Sequence, residues 1–150
     1  MPYSYFGEKF PDLAERETRA VTIPANNLIP KGHYGLIEFY CDEAYCDCRR
    51  VFLNVHSAET EEIVAVIAYG WESEEFYKEW MGEDTPALVK PLKGPALNMA
   101  SHQSAFAGNW LKFITEVVLK DKKYVERLKR HYQIFRAKIE DKQHVKKTPD

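Results

Sequence analysis

The chain has 150 residues, with 21 Lys+Arg against 23 Asp+Glu, and its formal net charge of −2 conceals two unlike parts. Residues 1–119 carry 10 basic and 18 acidic side chains, net −8, while residues 120–150 carry 11 basic and 5 acidic, net +6. An acidic body with a basic tail suits RNA, an acidic protein or the body itself, so the sign alone selects no partner. With 45% hydrophobic and 13% aromatic residues, a chain of this length can bury roughly 70% of its unfolded surface as one domain, and size alone demands no staple.

The opening, Met1 to Glu8, lacks the basic start and apolar run of a signal peptide. The longest uncharged stretch, Gly94 to Leu111, is interrupted by polar residues, so it falls short of the ~20 apolar residues of a membrane span. A cytoplasmic protein with no membrane segment is the expectation.

In chain order, Asp12-Leu-Ala-Glu15 has capping-box spacing and predicts one or two helical turns. Thr18 to Ile23 reads as a strand stopped by Pro24, and Pro24 to Gly32 as a loop. Three runs rich in Val, Ile, Phe and Tyr follow, at Tyr34 to Cys41, Arg50 to His56 and Ile63 to Gly70, with connections short enough for an antiparallel meander. In the first run Ile37, Phe39 and Cys41 share one face and Glu38 lies on the other. The third is apolar on both faces, which suits a covered strand. Ser73 with Glu74 and Glu75 marks a helix start, and Gly82 its end. Pro86, Pro91, Gly94 and Pro95 predict an irregular stretch.

From about Ser101, the residues Phe106, Trp110, Phe113 and Val117 recur at helical spacing, widened by Leu111, Ile114 and Val118. Asp121 can cap a further helix with an apolar stripe of Val125, Leu128, Tyr132, Phe135 and Ile139. Residues 142–150 read as frayed. The fold class expected is α+β: an antiparallel sheet of three to four strands with a C-terminal helical pair packed on it, all in one domain.

All three cysteines fall in the window Cys41-Asp-Glu-Ala-Tyr-Cys46-Asp-Cys48, at the tip of the first hairpin. A Cys-x4-Cys-x-Cys loop can bring three thiolates to one ion, and Zn²⁺ favours such soft ligands in a tetrahedral shell. The following Arg49 and Arg50 would offset the charge of the thiolates. The spacing is not that of a zinc ribbon or a common finger. Buried reduced thiols, a disulfide and an iron–sulfur cluster therefore stay open as other readings.

For the fourth ligand, His33 and His56 belong at the far end of the hairpin, on the order of 20 Å from the tip. His131 and His144 read as solvated. His102, at the start of a helix, is preferred by chemistry; Asp42, Asp47 and Glu72, water, or a second subunit are the other choices.

The strings Phe39-Tyr-Cys41-Asp, Cys46-Asp-Cys48-Arg-Arg-Val51, Tyr69-Gly-Trp-Glu72 and Tyr124 to Tyr132 resemble an uncharacterised family of small bacterial proteins. The resemblance spans about Pro11 to Phe135. It implies a shared fold and a cysteine-bearing hairpin, and no activity or catalytic residue.

Rival functions can be set beside the metal. A thiol enzyme or redox protein would use Cys46 to attack and Cys48 to resolve, although a Cys-x-Cys disulfide closes a small strained ring. Nucleic-acid binding would use Lys122, Lys123, Arg127, Lys129, Arg130, Arg136 and Lys138 with Tyr124 and Tyr132; the alternative for these is the ordinary solvated face of an amphipathic helix. Trp71, Trp80, Trp110, Tyr40, Tyr45 and Tyr69 read as core or interface anchors. The sequence holds no Gly-rich phosphate loop, Gly-x-Ser-x-Gly elbow or His-Glu-x-x-His helix. The expectation is a small zinc-stapled interaction or adaptor module with a protein partner, its metal held by Cys41, Cys46, Cys48 and His102.

Overall fold

The computed structural model describes residues 3–147, with side chains as far as Asp141. The fold is α+β, with a six-stranded antiparallel sheet, several helices and a long helix at the C-terminal end. The strands are β1 (Tyr3–Tyr5), β2 (Arg19–Ile23), β3 (Gly32–Cys41), β4 (Arg50–Ser57), β5 (Ile63–Gly70) and β6 (Ala96–Leu97). β3, β4 and β5 form the expected meander, pairing Leu36 with Val55 and Leu53 with Ile67.

Two strands beyond the expected number come from segments too short to show a period. β6 pairs only Leu97 with Ile67 and Ala96 with Ala68. β1 and β2 lie end to end along the same edge of β3, Tyr3 opposite Cys41 and Arg19 opposite Leu36. Between them the chain leaves the sheet for helices α1 (Phe6–Lys9) and α2 (Pro11–Glu17) and then rejoins the edge.

Alternation along the strands sets two faces. Tyr34, Leu36, Glu38 and Tyr40 of β3 share a face with Val51, Leu53 and Val55 of β4 and with Ala65 and Ile67 of β5. That face is the core face, so the side of β3 that carries Glu38 is the one turned inward. Over it lie α5 (Ala107–Glu116), a 3₁₀ turn at Val118–Lys120 and α6 (Lys122–Lys147).

The buried stripe of α5 is Ala107, Trp110 and Ile114, continued by Val118. The stripe is rotated from the expected one, and Phe106 and Val117 are exposed. α5 also starts six residues later than expected, because Ser101 to Phe106 is a loop. α6 buries Tyr124, Leu128, His131, Tyr132, Phe135 and Ile139. Asp121 caps it as expected, accepting from the Lys123 N–H at 3.0 Å. Its backbone runs on to Lys147, so most of the segment expected to fray is helical, while residues 148–150 lie outside the described residues.

The opposite face is covered by α3 (Glu74–Met81) and α4 (Pro86–Lys93). Ser73 caps α3, accepting from Phe76 N–H at 3.2 Å, and Gly82 closes it in the left-handed conformation with φ 69°, as a C-terminal glycine should. Tyr77 of α3 lies over Gly70, where a Cβ would come 2.2 Å from its hydroxyl oxygen.

α4 replaces the irregular stretch read from its prolines. Pro86 sits in its first turn, where a missing N–H costs nothing, and Pro91 is carried inside the helix. α2 matches the one or two turns expected around Asp12, but Pro11 opens it and its N-cap position, Phe10, makes no side-chain capping bond.

Candidate metal centre

The Asp42–Arg49 connection joins β3 to β4 and must turn sharply to bring its cysteines together. Tyr45 and Arg49 adopt left-handed backbone angles, with φ of 62° and 51°, which costs a non-glycine residue of order 1–3 kcal/mol and requires compensating contacts.

Those contacts come from α3, α6, the segment after β5 and the loop itself. The Arg49 N–H donates to Tyr132 Oη of α6 at 3.1 Å, and Tyr77 of α3 donates to Arg49 O at 2.8 Å. The Arg49 guanidinium reaches Asp47 at 2.9 Å and Glu72 at 3.2 Å, and stacks over Phe76. Arg136 of α6 donates to Cys41 O at 2.7 Å and to Glu43 O at 2.9 Å, which holds the first half of the loop.

The sulfur atoms of Cys41, Cys46 and Cys48 all lie within 4.8 Å of one another, and all three thiols are free. Sulfurs around a tetrahedral Zn²⁺ sit about 3.8 Å apart, given Zn–S bonds of about 2.3 Å. The cluster therefore needs to contract by no more than about 1 Å to fit that ion. Cys41 and Cys48 are buried, and Cys46 is partly exposed. Tyr3 Oη of β1 stands 3.7 Å from Cys48 Sγ, receives a hydrogen bond from Arg50 at 3.2 Å and stacks on Phe52.

The three thiols are not equivalent. A hydrogen bond from Cys48, with help from the Glu43 N–H, the Cys46 thiol and the Arg136 charge, pulls Cys41 down to about 6 against the opposing effect of burial. Cys48 is pushed up because it donates to Cys41 and because it is buried. Burial and the nearby Cys41 charge raise Cys46. Of the three sulfurs, Cys41 is the one that most favours the thiolate. A sulfur biased towards the thiolate is the kind of ligand a soft cation takes.

His102 does not join the sulfurs. It is exposed, in a loop held to the other end of β5 by the Asn98 N–H on Val66 O at 2.9 Å and the Ser104 N–H on Val64 O at 3.0 Å. Four to six strand residues separate those anchors from Gly70, beside the cysteine loop, or about 13–20 Å. The physical reason is that α5 begins later than expected, so the residues before it run along the sheet edge.

The carboxylates near the cluster have partners. Asp42 accepts from Ser4, Asp47 from Tyr132 at 2.7 Å and from Arg49, and Glu72 from Arg49. Among the described residues, no histidine or carboxylate comes within 4.8 Å of all three sulfurs. The side chain of His144 lies outside the described residues. His33 and His56 lie at the far end of β3 and β4, as their position in the hairpin requires.

A second polar cluster, with no motif in the sequence to mark it, lies in the core. His131, expected to be solvated, is completely buried and stacked on Phe6 at 4.3 Å. Its Nδ1 meets Glu38 Oε1 at 2.6 Å, and its Nε2 meets Glu17 Oε1 at 2.7 Å. Tyr40 donates to the same Glu38 oxygen at 2.7 Å. A glutamate in the middle of a strand, two residues from a tyrosine on the same face, was the available signal.

The basic residues of α6 are largely tied down. Of the seven named above, Arg127 bonds Glu17 O, Lys129 pairs with Glu126, Arg130 with Glu17 and Arg136 with Glu140, while Lys138 covers Phe10. No helix among the described residues is long and apolar enough to cross a membrane. No family model, curated protein or solved structure matches the chain.

Proposed function

We propose that this protein is a zinc-stapled interaction module in which Cys41, Cys46 and Cys48 hold the ion. What supports the reading is the convergence of three free sulfurs within 4.8 Å of one another. An ion there would fasten the junction of β1, β3, β4 and α6, since Cys41 pairs with Tyr3, Cys48 lies beside Tyr3, and the loop is gripped by Arg136 and Tyr132. The binding energy of such an ion is also folding energy. The role in interaction draws on exposed Leu28 and Val117, which flank an apolar cleft of about 360 Å³ between the Pro24 loop and α5.

Native mass spectrometry of protein purified without added metal tests the metal. One zinc per chain is expected, and it should be lost in Cys46→Ser. A folded, metal-free protein that takes up no zinc on titration overturns the reading.

A further inference from the structure

Resting on the zinc reading, we infer that the ion keeps its fourth position open and that this position takes a small thiol, which enters past Cys46.

Zn²⁺ is almost always four-coordinate, and sites with only three protein ligands keep a position for an exchangeable water or an external ligand. Three protein donors converge here among the described residues.

The direction of that position follows from what covers the sulfurs. Cys41 and Cys48 are fully buried. Tyr3 covers the Cys48 side, its ring stacked on Phe52 with centroids 4.1 Å apart and its hydroxyl held by Arg50. Cys46 alone is partly exposed, and it lines a cleft of about 350 Å³ with Tyr45, Asp47, Tyr132, Arg136 and Glu140. That volume lies at the lower end for small-molecule sites, so the cleft admits a low-molecular-weight ligand and not a folded partner.

The donor set selects sulfur. Three thiolates make the shell soft, and a fourth gives the all-thiolate set that closed zinc sites use. On binding, the incoming thiol passes its proton to solvent as its sulfur displaces water from the ion, with no change of oxidation state. The charged groups lining the cleft are Arg136, which donates to Cys41 O and pairs with Glu140, and Asp47, which is paired with Arg49.

Cobalt substitution separates this inference from the reading beneath it. Protein loaded with less than one equivalent of Co²⁺ should show the sulfur-to-metal charge-transfer band of a three-thiolate site. Titration with 2-mercaptoethanol should raise that band saturably by about a third, as three sulfurs become four, while ethylene glycol, the hydroxyl analogue, changes nothing. Gln133→Trp, which places a ring at the exposed wall of the same cleft, should weaken the thiol response several-fold and leave the starting band unaltered. A three-thiolate band that the thiol does not change overturns the open position and leaves the zinc staple standing. Absence of any charge-transfer band overturns the staple and the inference together.

Discussion

His131 Nδ1 and Glu38 Oε1 approach to 2.6 Å in the middle of the core, the histidine 0% and the glutamate 3% exposed. Glu17 meets the other ring nitrogen at 2.7 Å, so the ring is held between two glutamate side chains. Removing one member of a buried pair costs about 3–5 kcal/mol, because the other stays uncompensated, whereas an apolar pair of similar volume is close to neutral. Glu38→Leu and His131→Leu should each destabilise the protein by about that amount, and the double variant by less than the sum of the two. Tyr40 keeps a partner in Leu128 O at 3.2 Å when Glu38 is gone, so the cycle reports mainly on the contact between His131 and Glu38. Urea unfolding of the four proteins measures it, and strictly additive single effects would sink the argument.

Glu17 links this cluster to pH. The hydrogen bond from His131, assisted by Arg130, holds its carboxyl below the usual carboxylate range. A carboxylate depressed in the folded state contributes stability above its unfolded value and loses it as the pH falls through the folded one. The contribution of Glu17 is therefore complete above its ordinary value of 4.5 and declines below it. Thermal melts from about pH 5 down to about pH 3 should show a shallower loss of stability in Glu17→Gln than in the parent; parallel curves would exclude the linkage.

What could be read from the sequence follows the strength of each signal. The meander was legible because Arg50 to Ser57 and Ile63 to Gly70 are long, β-branched and closely connected. The three cysteines were legible because they crowd eight positions. β6 was not, since two residues carry no period and its pairing with Ile67 and Ala68 is set by tertiary contact. The Pro86 helix was hidden by Pro91, which packing overrides when Val89 is buried. The burial of His131 was not legible either, because its neighbours Lys129 and Arg130 mark a solvated face while its own position falls on the apolar stripe. The position of His102 before α5 was hidden for a related reason: periodicity shows that a helix exists more firmly than where it starts.

Tyr124 offers a test of the core from the other direction. Its hydroxyl is buried and has no hydrogen-bond partner among the described residues, while Arg19 and Arg127 lie over its ring at 5.3 and 5.9 Å. An unsatisfied buried hydroxyl costs about 1–3 kcal/mol, and phenylalanine keeps the ring without that group. Tyr124→Phe should therefore be at least as stable as the parent, by up to about 1 kcal/mol, in denaturant titrations. A clear loss of stability would show that the hydroxyl is satisfied.

Arg136 serves the cysteine loop without touching sulfur, through Cys41 O and Glu43 O. Groups that orient ligands from behind typically contribute 10- to 100-fold to metal affinity. Arg136→Met, which keeps much of the buried stem, should lower zinc affinity by roughly that factor in a chelator competition. It should leave the zinc stoichiometry at one, and unchanged affinity would mean that the loop holds its shape unaided.

Proton release on metal binding reports the state of the thiols directly. Zinc binds thiolates, so every cysteine that is still a thiol must lose its proton when the ion enters. At about pH 7.5, Cys41, pulled down to about 6, is already ionised, while Cys46 and Cys48 are both raised and remain thiols. About two protons should then leave per zinc bound, where three unperturbed cysteines with a pKa near 8.5 would release close to three. As the pH falls through about 6, Cys41 takes up its proton and the release should climb towards three. Calorimetry in buffers of different ionisation enthalpy counts these protons at each pH. A count near three at both would mean that the metal-free cluster holds no thiolate, and that Cys41 acquires its charge only from the ion.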